Sequence, residues 1–172
     1  IEITKLPKWK DVITIKTWIK TLENSRSVRC LEMYLNEEKI IGCETFWVVI
    51  NTKTRRPDNL ALPHAHFEKF DTDSILKTIQ KINIPEVFTF KDERNILLSD
   101  IDIVNHANNV KYLEWCLDVT NVKTVLSQKI KTLNLNYLQE LNYNDAIEIH
   151  HTTTSFLITK EGKSCFALEV EI

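Results

Sequence analysis

Residues 99–115, SDIDIVNHANNVKYLEW, constrain the fold more than any other stretch, because an Asp- and Asn-rich turn there runs into a helical pattern within a sequence that mostly alternates with period two. Asp100, Asp102, Asn105, His106, Asn108 and Asn109 are poor residues for a helix interior. They favour turns and helix N-termini, where their side chains bind free backbone N–H groups. A helix is therefore predicted over 107–120, starting between His106 and Asn109. Val110, Leu113 and Leu117 recur at the three-and-four spacing of a buried face, and Tyr112, Trp115, Cys116 and Val119 widen it. A helix apolar over so wide an arc must be wrapped by other structure. Its start aims N–H donors near His106, an arrangement that stabilises negative charge, including the oxyanion formed when an ester or thioester carbonyl is attacked. Taken alone, such a pattern is usually only a helix cap.

Around this helix the alternation predicts strands at 12–19, 28–35 and 40–51, an antiparallel meander with a turn at 36–39. Only two glycines occur in the chain, so most turns must use Asn, Asp and Lys. Polar residues 57–63 form a connector, and 74–81 read as a short helix packed through Ile75, Leu76 and Ile79. Further strands are expected at 87–98, 130–140, 146–153, 156–159 and 163–172, the last hairpin turning at Glu161-Gly162. Strand runs on both sides of one helix indicate an α+β domain whose sheet buries its concave face on that helix. Pattern alone does not separate this from other helix-on-sheet folds.

Composition fits a soluble, packed protein: 43% hydrophobic residues, 27% charged residues and a net charge of -2. The longest apolar runs, such as FWVVI at 46–50, suit a buried strand and are too short to span a bilayer. No signal peptide is recognisable, and neither membrane nor nucleic acid is expected as a partner. Cys30, Cys43, Cys116 and Cys165 lie far apart with no CxxC pair, and read as buried thiols in a reducing compartment. Without an N-x-S/T acceptor, a cytoplasmic location is expected. His64 and His66 fall in the connector, and His150 and His151 must point to opposite faces of a strand, so no metal site or cofactor is expected.

SDIDIVNHANNVKYLEW resembles the helix-start motif of the acyl-ACP thioesterases, plant and bacterial enzymes that release fatty acids from acyl carrier protein. The resemblance continues through CLDVTNVKTVLSQKIKTLNLNYLQE, where the family has a helix, a linker and a strand ending in a glutamate, here Glu140. Upstream, LPKWKDVITIKTWI and IGCETFWVVINTKTRRP resemble strands and a turn of the family's N-terminal half. The resemblance implies a tandem hotdog fold, each copy a long helix wrapped by an antiparallel sheet. With 172 residues, the chain is too short for two complete copies and is expected to begin inside the first, without that copy's initial strand and helix. A second, smaller gap is expected near 152–155. The implied division is 1–60 for the remainder of the N-terminal hotdog, 61–85 for a connector and 86–172 for the C-terminal hotdog carrying the catalytic motif. An incomplete first copy would expose sheet edge and apolar surface, so these residues alone are expected to self-associate, as a homodimer or as aggregates.

The family's chemistry implies an Asp, an Asn two residues on, a His two further and a Glu on the next strand. In this chain these are Asp102, Val104, His106 and Glu140, and Val104 departs from the pattern because its side chain cannot hydrogen-bond. The adjacent Asn105 is the candidate substitute. In this reading Glu140, partly buried against the sheet, is the base that activates water, and Asp102 orients His106 or the water. Amides at the helix start, with Asn105, bind the carbonyl oxygen. Asn108 and Asn109 are candidate substrate-binding residues. Glu140 is followed by Leu141 and no cysteine is near in sequence, so a Cys–His–Asn nucleophile set does not fit. Taken without the resemblance, Glu140 reads as a solvated residue and His106 as part of a cap.

The basic turn of Lys53, Arg55 and Arg56 is a candidate docking patch for the acidic acyl carrier protein, alongside a plain solvated turn or a structural role. The leading function is hydrolysis of fatty acyl-ACP. The alternatives are an acyl-CoA thioesterase of the same fold and an acyl-binding protein whose site Val104 has disabled.

Overall fold

The computed structural model describes residues 1–54, 56–61, 63–77 and 81–172. The chain divides into two compact units, Ile1–Ile79 and Gln80–Ile172.

The first unit is an antiparallel sheet of β1 (Glu2–Ile3), β2 (Ile13–Glu23), β3 (Arg26–Leu35) and β4 (Glu38–Val48), in the order β2-β3-β4-β1. Asparagine tolerates left-handed backbone, so Asn24 closes the first hairpin at φ 50° and Asn36 opens the second turn at 50°, followed by Glu37 at 69°. Gly42 on β4 is required by close approach, since a Cβ there would lie 2.0 Å from the Ser74 carbonyl oxygen. Ser74 is buried, donating its hydroxyl to the Cys43 carbonyl at 2.7 Å, while its amide donates to Glu44 Oε1 at 3.2 Å.

Of the helix expected at 74–81, residues 74–77 form bends instead, with the amides of Leu76 and Lys77 donating to the Glu2 carboxylate. Leu76, expected to be packed, is 97% exposed. Ile79 lies outside the described residues.

The second unit runs through β5 (Phe90–Asn95), a 3₁₀ turn (Leu98–Asp100), α1 (Asn109–Asp118), α2 (Val122–Leu126), β6 (Thr132–Tyr137), β7 (Ala146–His151), β8 (Ser155–Lys160) and β9 (Lys163–Glu171). Its strands are antiparallel in the order β6-β9-β8-β7-β5. The last hairpin turns at Glu161 and Gly162, both with positive φ. The short α2, in a stretch that reads as linker, is capped by Asn121, whose side chain accepts from the Lys123 amide.

α1 packs on this sheet in the hotdog arrangement, an α+β fold. Tyr112, Trp115 and Cys116 share one buried core with Ile147 and Ile149 of β7, Ile158 of β8 and Phe166 and Leu168 of β9. The buried stripe follows 112, 115 and 116, with Leu113 and Val119 partly buried against the same core, while Val110, expected on the buried face, is 59% exposed. Both series have helical spacing, and the two large aromatic side chains decide which face turns inward. His150 and His151 do point to opposite faces: His151 Nε2 lies 2.9 Å from Asp92, and His150 faces Glu148 at 3.1 Å.

Candidate active site

The segment between β5 and α1 is held by its acidic and amide side chains. Asp100 is buried, and its carboxylate accepts from the Leu97 amide at 2.8 Å and from Arg94 at 3.3 Å. The Arg94 guanidinium lies over the Trp115 ring at 4.9 Å, which ties this turn to the core face of α1. From there the chain makes a narrow loop: Ile101 bridges Ala107, and the Asp102 amide donates to the His106 carbonyl at 2.9 Å.

Asp102 builds the loop from inside. Its Oδ1 accepts from the amides of Val104 at 2.9 Å and His106 at 3.3 Å. Its contact with His106 is thus with the backbone amide. Asn105 takes the left-handed corner at φ 65°, with its amide donating to the Asp102 carbonyl at 3.2 Å. Val104 is 63% exposed. What position 104 supplies to the loop is its backbone N–H, which valine provides as well as asparagine.

Asn108 is the helix cap, its side chain accepting from the Val110 amide at 3.0 Å and its carbonyl from the Lys111 amide at 2.8 Å. Two of the helix-start amides expected to bind a substrate carbonyl are therefore occupied. Asn109 is exposed, and its carbonyl accepts from the Tyr137 hydroxyl at 2.9 Å.

Glu140 lies three residues beyond the end of β6, not on a strand as expected. The strand stops because the amides of Leu138 and Gln139 both turn to the Cys165 carbonyl, at 2.8 and 3.1 Å. Glu140 Oε2 then sits 3.7 Å from His106 Nε2, with the two side chains 46% and 38% exposed. The Glu140 carboxylate is thus about half exposed, beside an imidazole. Water reaches this pair freely.

The pair is registered by the residues that follow each member. The Ala107 amide donates to the Leu141 carbonyl at 2.8 Å, and the Leu141 amide donates to the Tyr112 hydroxyl at 3.0 Å. Leu141 and Tyr112 are both buried. Burial, joined by the nearby Glu140 charge, pushes the Tyr112 phenol up to about 12, so it stays protonated at neutral pH. The hydrogen-bonding part of Tyr112 is not legible in the sequence, because its partner is a backbone group 29 residues away.

The structure does bring a cysteine close to Glu140 through the Cys165 carbonyl, but that thiol is buried and points to the Lys163 carbonyl at 3.4 Å. Burial pushes it upward, as it pushes Cys116 to about 12. All four cysteines are free. Buried protonated thiols are inert as nucleophiles. Among the described residues no cluster of His, Cys, Asp or Glu could hold a metal, and no helix is long and apolar enough to cross a membrane.

Of the basic turn, Lys53 and Arg56 are exposed, and Arg55 lies outside the described residues. The Asn51 side chain organises the turn by accepting from the Lys53 and Thr54 amides at 2.9 and 3.0 Å.

Residues 1–62 match the family described as acyl-ACP thioesterase N-terminal domain, and residues 88–171 match the acyl-ACP thioesterase C-terminal domain. A chloroplastic acyl-[acyl-carrier-protein] hydrolase of Cuphea viscosissima is 27% identical over 173 residues, covering 94% of this chain and 40% of that protein. A chloroplastic oleoyl-acyl carrier protein thioesterase of Coriandrum sativum is 25% identical over 163 residues, covering 86% of this chain and 44% of that protein. The chain thus spans less than half the length of these relatives. Among solved structures, an acyl-ACP thioesterase from Bacteroides thetaiotaomicron superposes with a TM-score of 0.84 at 20% identity, covering 98% of this chain and 72% of that one. A 12:0-ACP thioesterase from Umbellularia californica gives 0.81 at 19%, with 99% and 71% coverage. These likenesses establish the shared fold.

Proposed function

The chain belongs to the acyl-ACP thioesterase family, and we propose that it hydrolyses the thioester of fatty acyl-acyl carrier protein, with Glu140 as general base. The observation that carries this reading is the approach of His106 Nε2 to Glu140 Oε2 at 3.7 Å, from two segments far apart in sequence. Catalytic hydrogen bonds are often long before substrate binds, so this spacing suits a pair that tightens around a water and a carbonyl.

In the proposed reaction, a water attacks the carbonyl carbon and gives its proton to the Glu140 carboxylate as the C–O bond forms. The tetrahedral oxyanion collapses, the C–S bond breaks, and the proton passes to the leaving thiolate. Free fatty acid and carrier thiol are the products. His106 orients the carboxylate and the water, and Asp102 contributes by holding the loop that carries His106. Asn105, at the exposed loop corner, donates to the carbonyl oxygen, and Asn108 and Asn109 border the bound substrate. Glu140 and His106 fall within residues 86–172, the C-terminal hotdog in this reading, with 1–60 forming the N-terminal one and 61–85 the connector.

Acyl carrier protein is acidic, and the exposed Lys53 and Arg56 support its docking at the basic turn, to which Arg55 also belongs by sequence. Four free thiols suit a reducing compartment, and we take the cytoplasm as the site of action. Ile15, Phe46 and Trp47 of the first unit are exposed apolar side chains, which supports self-association when these 172 residues are made alone. Sedimentation of that polypeptide is expected to give dimers or larger species, and a stable monomer would refute the expectation.

The function is tested by thiol release from acyl-ACP and acyl-CoA substrates with the full-length protein. Faster release from acyl-ACP is expected, with kcat/KM falling as salt rises. Lys53→Glu combined with Arg56→Glu is expected to raise KM for acyl-ACP while leaving kcat unchanged. Preference for acyl-CoA would support the related enzyme reading. Acyl binding without thiol release would support an acyl-binding protein.

A further inference from the structure

We infer that Tyr112 is a positioning residue for the Glu140 carboxylate, acting through the backbone of Leu141. The inference rests on Glu140 being the general base and concerns what holds it in place. Glu140 lies beyond the sheet ladder, in a segment without regular secondary structure, where an exposed glutamate would ordinarily sample many positions. The segment is nonetheless fixed on both sides. Leu138 and Gln139 are anchored to the Cys165 carbonyl before it, and the Asn142 amide donates to the Asp145 carboxylate at 2.8 Å after it.

Between these anchors the two backbone groups of Leu141 both bond to the piece of chain that carries His106. Its carbonyl accepts from Ala107, the residue next to His106, and its amide donates to the hydroxyl of Tyr112, one helical turn into α1. One rigid body therefore sets the position of the imidazole and of the glutamate that faces it. The Ala107 bond ties Leu141 through its carbonyl and the Tyr112 bond ties it through its amide, so the residue next to Glu140 is held at both of its backbone groups by the chain that carries His106. A phenol fits this place because its ring fills the core against Trp115 and Phe166, with centroids 5.2 and 5.4 Å away, while its oxygen meets a buried N–H that has no access to solvent.

Tyr112→Phe keeps the ring and its packing and removes only the oxygen. In the full-length protein this variant is expected to lower kcat for acyl-ACP by about 10- to 100-fold, the scale of a misplaced catalytic group, with KM nearly unchanged. Hydrogen exchange at the Leu141 amide is expected to accelerate. The decisive readout is the same substitution made in a Glu140→Gln background, where it is expected to have no further effect on kcat, because the group it positions is already disabled. Wild-type kcat in Tyr112→Phe would overturn the inference and leave the base assignment standing. Equal slowing in both backgrounds would overturn it in favour of a general loss of structure. Full activity in Glu140→Gln alone would overturn the base assignment and the inference with it.

Discussion

Replacing Glu140 with glutamine in the full-length protein is expected to slow acyl-ACP hydrolysis by about 100-fold or more, within the range that a positioned general base contributes. Glutamine has nearly the same shape and still accepts and donates hydrogen bonds, but it cannot take a proton from water. The side chain is about half exposed beside the His106 ring, a setting in which loss of one charge has little effect on folding. The loss should therefore appear in kcat with the thermal transition of the protein unmoved. Comparison of single-turnover rates and unfolding midpoints separates these effects. A variant that hydrolyses substrate at the wild-type rate would remove Glu140 from the chemistry.

Replacing Trp115 with alanine should have the largest effect on stability, roughly 3–5 kcal/mol, the range seen when a large buried aromatic is truncated. Trp115 is 1% exposed and lies at the centre of the α1 packing, against Tyr112 on one side and beneath the Arg94 guanidinium on another. Its removal leaves a cavity and also loosens the Arg94–Asp100 pair that anchors the loop leading to His106. Domains of this size are stable by about 5–15 kcal/mol, so the loss is a large share of the total. A urea midpoint shifted strongly downward is the expected outcome. A midpoint near that of the unsubstituted protein would show that the core does not depend on this side chain.

Much of this arrangement is legible in the sequence, and the misreadings have physical causes. The Asp- and Asn-rich turn announces a helix start because such side chains serve backbone amides, and Asp102 and Asn108 do so. The same fact limits the functional reading. A cap or turn-former uses one oxygen of its side chain, and sequence does not distinguish that use from orienting an imidazole or binding a carbonyl. Val110 has the right spacing for the core yet faces outward, because periodicity fixes a stripe only to within the bulk of competing side chains.

The end of β6 depends on two amides sharing one carbonyl of β9, a long-range contact that leaves no local mark in the residues before Glu140. The tie between Tyr112 and Leu141 is hidden in the same way: tyrosine on an apolar helix face reads as filler until its hydroxyl is seen to meet a backbone amide. The turn at Glu161-Gly162 is legible because tight turns are decided by adjacent residues, while the turn expected over 36–39 narrows to Asn36-Glu37.

Whether His106 and Glu140 act as one unit is read from a double-substitution cycle on acyl-ACP hydrolysis by the full-length protein. His106→Ala, Glu140→Gln and the pair together are compared by kcat at saturating substrate. Groups that act as a unit are strongly non-additive, so the double variant is expected to be hardly slower than the more impaired single variant. Losses that multiply in the double variant would mean that the two side chains act independently, and would contradict their action as a unit.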